Sequence, residues 1–514
     1  MKSDSEILSD IKERHRDSRD ATATWREEAR ESYGFYDSTQ QWSAADAKDL
    51  RDNNRPLVTF NRTQPVIDSV VGTEIVNQQK TTFLPRTEED LGVTDMYSDA
   101  ADWVRQEADE DDEESDAFTD ACICGMGWTE RFIDYDEELD GQIRKVRFNP
   151  IEAYWDPAAS RTNLADSRWR MRVRWMPEDE VRARWPDARL GGEELGGDPD
   201  DLAADQLVQD EPIDDYDTDD AAWYDRRRGM VKITQYQWMD REGVYRTTNR
   251  FTGAEMQVAP DKIGEYESDA ANPKLVKQAR RRYYQAFATR VQVLEAKELH
   301  PGKDGSPSPG FTLEVITAKR QNDNNIFFGL MRSMKDPQRW SNKFFSTMQE
   351  ALAVSPKGGI IAEVDSFENQ SKAEQDYANP TKIVFANPGA VKDGRIMPRP
   401  KGEFPAAADR LMQIAISAIP DTTGINLEFM GLVGRNQPNV LENTRIGQGM
   451  TILARLFKAL RKYRKQDGRM LLHMIRNYLP EGTLIRLTNS KFAKLAQRPD
   501  VVRYDVIVDQ APTS

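Results

Sequence analysis

The chain has 514 residues, 38% of them hydrophobic and 31% charged, with a formal net charge of −16 at pH 7. That length exceeds one ordinary core and points to roughly two to four domains. The acid surplus excludes a protein that grips nucleic acid over its whole surface, and no apolar run approaches the roughly 20 residues of a bilayer span.

The opening MKSDSEILSDIKERHRDSRD is charged throughout. It lacks the apolar segment of a secretory signal, so a cytoplasmic beginning is expected. Residues up to about Lys80 read as mainly helical, with Ile7, Ile11, Trp25, Ala29, Tyr33 and Tyr36 at loosely helical spacing. In RPLVTFNRTQPVIDSVV, Pro56 breaks the chain, Leu57 to Phe60 reads as a short extended piece, and Pro65 opens a helix. A second helical region is expected from about Met96 to Phe118, with the acidic run Glu107 to Asp116 as its solvated face.

From Cys122 the pattern turns strand-like. Cys122 and Cys124, the only cysteines, are expected on one face of a strand as packing residues, where they cannot close a disulfide. Two cysteines and the dispersed His15, His300 and His473 make no metal site. GMGWTERFIDYDEELDGQIRKVRF reads as a hairpin turning at Asp140–Gly141. ADSRWRMRVRW alternates Trp169, Met171, Val173 and Trp175 with Arg168, Arg170, Arg172 and Arg174, a half-buried strand whose basic face meets acid. Residues 191–220, rich in Gly, Asp and Glu, are expected to be a mobile loop.

MVKITQYQWM and VYRTTNRF read as two strands joined at Asp240 to Gly243. Pro273 to Tyr284, carrying Arg280, Arg281 and Arg282, is expected to be a basic helix, and ATRVQVLEAKEL a strand; 226–310 as a whole reads as a small α/β insert. FGLMRSMKDPQRWSNKFFSTMQEAL then announces a helix start at Asp336–Pro337. Trp340, Phe344, Met348 and Leu352 form the stripe expected to pack, while Arg339, Asn342, Lys343, Ser346 and Gln349 face water, a neighbour or a ligand.

GGIIAEVDSF and TKIVFANPGAV are expected as strands, and FPAAADRLMQIAISAI as a helix ending at Pro420. A helix from Asn439 to Tyr478 closes the pattern, about 60 Å long at 1.5 Å per residue. Its apolar seam is Ile446, Met450, Leu453, Leu456, Leu460, Tyr463, Leu471 and Ile475. Beside it Arg455, Lys458, Lys462, Lys465 and Arg469 form either a solvated basic face or a site for an acidic partner. GxxxxGK[ST], GxSxG, HExxH and the Rossmann fingerprint are all missing, so no catalytic, cofactor or metal residue is assigned and a non-enzyme is expected.

Five phrases, in order, carry a resemblance: RPLVTFNRTQPVIDSVVGTEIVNQQ, CICGMGWTERFIDYD, NPIEAYWDPAASRTNLADSRW with MPEDEVRARWPD, FGLMRSMKDPQRWSNKFFSTMQEALAVSPKG, and RYDVIVDQAPTS. Together they resemble portal proteins of tailed double-stranded-DNA phages, of the short-tailed podovirus type.

The resemblance implies a mixed α/β, helix-rich portal fold with wing, stem, clip and partial crown, assembled as a ring of twelve copies at one capsid vertex of the virion. Residues 1–175 would be wing, 176–325 the approach to the stem and the clip, 326–354 a stem helix, 355–435 wing strands with a channel-side helix and loop, 436–480 a helix toward the crown, and 481–514 the crown's start. Such rings conduct double-stranded DNA in packaging and ejection, and contact the terminase large subunit, head-completion or tail adaptor proteins, and the major capsid and scaffolding proteins. Candidate channel or subunit contacts are Lys335, Arg339, Lys343, Arg455, Lys458, Lys462 and Lys465; candidate terminase-side residues are Arg280, Arg281 and Arg282. A head–tail adaptor and a metal-dependent DNA-processing enzyme are the alternatives.

Overall fold

The computed structural model describes residues 2–52, 55–76, 81–85, 91–136, 141–190, 223–225, 227–248, 255–258, 263–268, 274–303, 305–322, 324–354, 360–378, 382–398, 406–425, 439–479, 484–486, 492–494 and 504–508. The expected loop at 191–220 and Asp140 of the expected turn lie outside them. The helices are α1 (Asp4–Tyr36), α2 (Ala44–Asp52), α3 (Gln64–Val76), α4 (Leu91–Glu107), α5 (Glu110–Cys124), α6 (Glu178–Arg184), α7 (Ile263–Ser268), α8 (Met331–Val354), α9 (Gln370–Ala378), α10 (Ala406–Thr423) and α11 (Asn439–Tyr478). The strands are β1 (Thr81–Pro85), β2 (Met126–Asp134), β3 (Gln142–Phe148), β4 (Ala153–Trp155), β5 (Trp169–Pro177), β6 (Tyr224–Asp225), β7 (Met230–Thr248), β8 (Glu255–Val258), β9 (Val276–Ala288), β10 (Val293–Glu298), β11 (Leu313–Thr317), β12 (Lys319–Arg320), β13 (Phe327–Phe328), β14 (Ile360–Ala362), β15 (Ile396–Pro398), β16 (Leu484–Arg486), β17 (Phe492–Lys494) and β18 (Tyr504–Val508). Two compact units result: unit 1 from Met1–Arg30, Ile67–Leu330 and Met450–Ser514, unit 2 from Glu31–Val66 and Met331–Gly449.

Unit 1 is built on an antiparallel sheet in the order β10-β9-β7-β5-β4, with β6 and β8 also on β7, and a smaller sheet β11-β2-β3. Alternation in β5, β7 and β9 puts Trp169, Met171, Val173, Tyr236, Trp238, Ala286 and Ala288 into one cluster, against which Ile7 and Ile11 of α1 pack. The other face of β5 carries Arg170, Arg172, Arg174 and the buried Met176, and its arginines are also covered: Arg170 is buried, and Arg172 pairs with Glu130 at 3.0 Å and Glu152 at 2.9 Å. The end of α5 is crossed by another stretch of chain, where the Leu330 N–H donates to the Cys122 carbonyl at 2.8 Å. Gly125, at φ 94°, permits this crossing, since a Cβ there would lie 2.3 Å from the Phe328 amide nitrogen.

Helix α11 is held in unit 1 by buried ions as much as by its apolar seam. Arg131 of β2 meets Glu110 of α5 at 2.5 Å and Asp467 of α11 at 2.8 Å; Lys145 of β3 meets Glu114 at 2.9 Å and Asp467 at 3.2 Å. Arg464 reaches Glu114, and Glu74 of α3 at 2.5 Å; Arg105 of α4 reaches Glu114 at 3.4 Å. Burial alone raises the Glu114 carboxyl pKa, but Lys145, Arg464 and Arg105 outweigh it and hold it well below the usual carboxylate range. Such a cluster adds modest net stability while intact, and losing one member strands an uncompensated charge at roughly 3–5 kcal/mol.

Several expectations are corrected here. The acidic run is a solvated face only in part: Glu107, Asp109, Asp112 and Asp116 are exposed, but Glu110 and Glu114 are buried in the ion cluster, and the helix breaks at Asp109, whose φ is 46°. Cys122 and Cys124 sit on helix α5, not on a strand, because the apolar end of that helix packs on β2 and β3. The expected hairpin at Asp240 to Gly243 is one continuous strand, and the expected basic helix is β9; the two pair at thirteen positions, with Asp240 opposite Arg282 and Glu242 opposite Arg280. Cross-strand charge pairing and long-range registry override local turn and helix propensity. The supposed insert at 226–310 is therefore an extension of the sheet begun by β4 and β5.

Candidate assembly surface

Unit 2 centres on α8 and α10. Helix α8 begins at Met331, five residues before the expected cap, because Met331 and Met334 are buried anchors; Pro337 lies inside the helix and Asp336 is not its N-cap. Helix α10 likewise runs through Pro420 to Thr423. The Thr422 hydroxyl donates to the Ser333 carbonyl at 3.3 Å, so the end of α10 lies beside the start of α8 and the two run antiparallel. Between them, β14 and β15 form a two-stranded ribbon. The stretch Lys382 to Ala386, expected as a strand, pairs with no strand among the described residues.

Beyond Met331 and Met334 the buried face of α8 is polar. Gln338, Ser341, Asn342 and Ser346 are buried, while Trp340, expected to pack, is 54% exposed. An extended segment explains the reversal. The N–H groups of Val58, Phe60 and Arg62 donate to Ser346 Oγ at 3.4 Å, Asn342 Oδ1 at 3.2 Å and Gln338 Oε1 at 3.3 Å. Alternate amides of an extended chain recur every ~6.6 Å and side chains four apart on a helix every ~6 Å, so the two repeats match. Gln338 Nε2 and Asn342 Nδ2 donate in turn to Gln41 Oε1, at 3.0 and 2.9 Å. A stripe of polar residues at i, i+4 and i+8 marks this clasp in the sequence, but polarity read as solvent exposure hid it.

The apolar side chains left outside are numerous. The Trp340 ring stacks on Phe344, centroids 5.6 Å apart, and Leu411 and Ile414 of α10 are exposed. On the ribbon Ile361 lies opposite Met397, both exposed; Ile383 is 74% and Phe385 81% exposed. The Trp340–Phe344 stack and the Ile361–Met397 pair are exposed apolar surface of the kind that a subunit contact covers.

The candidate cations are placed differently from one another. Lys335 is buried and pairs with Glu31 at 2.6 Å; Arg339 pairs with the same carboxylate, and Lys343 with Asp46 at 2.8 Å. Lys343 and Ser43 together hold the Asp46 carboxyl below its ordinary pKa. On α11, in unit 1, Arg455, Lys458, Lys462 and Lys465 are all exposed, on the side away from the buried Leu453, Leu456, Leu460 and Tyr463. Arg280, Arg281 and Arg282 lie on β9, where Arg282 pairs with Glu242 and, at 3.1 Å, with Glu298. Among the described residues, no group of three or more His, Cys, Asp or Glu is placed to hold a metal ion, and no helix is long and apolar enough to cross a membrane.

The family model described as phage P22-like portal protein matches residues 12–514. The chain belongs to that family. No curated protein matches it. One solved structure similar to this portal-family chain is titled "Virion of native gene transfer agent (GTA) particle", at 12% identity and a TM-score of 0.22, covering 45% of this chain and 64% of the other. This portal-family chain thus spans less than two thirds of that neighbour's length, and the likeness is too slight to bear on fold. The family is a structural one, in keeping with the missing catalytic motifs.

Proposed function

We propose that twelve copies of this chain close into a ring at one capsid vertex, assembled in the host cytoplasm. The ring is the conduit for double-stranded DNA in packaging and ejection. It is also the seat for the terminase large subunit, the head-completion and tail proteins, and the capsid and scaffolding proteins around it. Membership of the portal family over residues 12–514 carries this reading. The apolar faces of unit 2 support it, since a heterologous contact closing by rotation covers them in every copy. A head–tail adaptor or a metal-dependent DNA-processing enzyme has no comparable support.

On this proposal the antiparallel α8 and α10 form the stem, β14 and β15 its outer end, the sheets of unit 1 the wing, and α11 the approach to the crown. The clip implied for 176–325 moves to the segment between α8 and α10, because β7, β9 and β10 extend the sheet of β4 and β5. The α11 cations Arg455, Lys458, Lys462 and Lys465 supply scattered phosphate contacts in an otherwise acidic ring, which leaves DNA mobile. Lys335, Arg339 and Lys343 act within unit 2 instead, through Glu31 and Asp46. Electron microscopy of the purified protein, with native mass measurement, tests the reading. Rings with a channel wide enough for a duplex are expected; a monomer persisting at high concentration overturns it.

A further inference from the structure

Strands β7 and β9 run together beyond the body of their sheet. The other neighbour of β9, β10, reaches only Tyr284, with one further bond from the Leu299 N–H to the Tyr283 carbonyl. From Arg282 back to Val276 the outer edge of β9 pairs with no described strand. The register of β7 on β9 sets Arg241 opposite Arg281 and Tyr245 opposite Lys277, all on one face of the ribbon. Arg241, Arg281 and Lys277 are exposed, and the Lys277 ammonium lies 5.9 Å from the centre of the Tyr245 ring.

The two faces differ in how their charge is met. On the opposite face Arg282 pairs with both Glu242 and Glu298. On this face no acid among the described residues pairs with Arg241, Arg281 or Lys277. Like charges directly opposite on a sheet repel and cost stability, and here they do so in a chain whose net charge is −16. Cations on an exposed edge strand also discourage unwanted strand pairing. That role accounts for Arg281 and Lys277, but not for Arg241, which sits on β7.

We propose that the outer end of the β7–β9 ribbon is the docking edge for an extended acidic segment of a partner protein, which adds a strand to β9 and lays its carboxylates over Arg281 and Arg241. The open backbone edge supplies the main-chain hydrogen bonds and the paired guanidiniums choose the charge. A DNA duplex answers the charge but makes no use of the edge.

The test is fluorescence anisotropy of the full chain with a labelled peptide of alternating Glu and Val. Saturable binding is expected, weakened by salt and by about tenfold or more when Arg241→Glu and Arg281→Glu are combined. The same peptide with Pro in place of alternate Val keeps its charge, loses strand geometry and is expected not to bind. Equal binding of the Pro peptide overturns the proposal, as does equal competition by a duplex oligonucleotide of matched charge, or no saturable binding at all. The milder pair Arg241→Gln and Arg281→Gln, checked by circular dichroism, gives the same answer should charge reversal disturb folding.

Discussion

The Thr422 hydroxyl shares its one proton between the Ile419 carbonyl of its own helix at 3.1 Å and the Ser333 carbonyl at 3.3 Å, and the Ser333 carbonyl is the one Pro337 deprives of its helical amide. Proline inside a helix removes the bond to the residue four before it, at a cost of about 3 kcal/mol or more. Here a side chain from the neighbouring helix fills part of the gap. Thr422→Val is expected to lower stability by about 0.5–1 kcal/mol. In a Pro337→Ala background, where residue 337 regains its amide, the same change should cost less. Equal losses in both backgrounds on chemical denaturation would break the link between the two residues.

Removing one tooth of the α8 clasp leaves a backbone N–H unmet. Asn342→Ala is expected to cost about 1–3 kcal/mol, because it strands the Phe60 amide and leaves the Gln41 side-chain oxygen with Gln338 as its one remaining clasp donor. Gln338→Ala should cost a similar amount through Arg62 and Phe60. Thermal unfolding of each variant measures this, and a loss under about 0.5 kcal/mol would show that the clasp is ornamental.

Trp340 gives the converse case. Being more than half exposed, it should tolerate Trp340→Ser with a change in subunit stability within about 0.5 kcal/mol. Assembly, followed by sedimentation, should weaken. A large stability loss with normal assembly would mean that the stripe packs within its own chain.

Glu314 is buried, and its Oε2 has no hydrogen-bond partner among the described residues. Burial, then the charge of Asp467, pushes its carboxyl well above the usual range. A carboxyl raised in the folded state favours folding while protonated, below the ordinary value near 4.3, and that contribution is lost as pH rises toward the folded value. Glu314→Gln stays neutral throughout. Its stability advantage over the wild type is therefore expected to be absent near pH 4 and to grow toward neutral pH. Denaturation curves across that range decide it; an advantage independent of pH would place the ionised form in the fold.

For the α11 stripe, the proposed phosphate contacts predict a change in salt dependence. Lys458→Ala combined with Lys462→Ala should reduce the slope of log affinity for duplex DNA against log salt by about 0.9 for each phosphate that is no longer neutralised. An unchanged slope in assembled protein would leave those lysines as solvated surface.

Much of the fold was legible wherever one force dominated. The limits of α11 follow its apolar seam, and β5 follows its alternation, because burial favours one residue type at one spacing. Legibility failed where polar groups are buried. Glu110, Glu114, Asn342 and Ser346 look like surface until their partners, far along the chain, are known. It failed again at β7 and β9, whose pairing joins stretches that separately favour a turn and a helix. Of the candidate cations, helical spacing put those on α11 on an exposed face, but neither charge nor spacing could reveal that Glu31 and Asp46 neutralise those on α8.

The buried ions also set an order of events during synthesis. Arg131 and Lys145 leave the ribosome long before Asp467 and Arg464 exist, and β1 long before β18, with which it pairs. At ordinary elongation rates that interval is on the order of tens of seconds. Until it closes, unit 1 holds cations with part of their counter-charge missing and a strand with an open side. A chain halted in translation would therefore stay unfinished in this unit and remain visible to chaperones and proteases, so that only subunits made through to β18 would be fit to enter a particle.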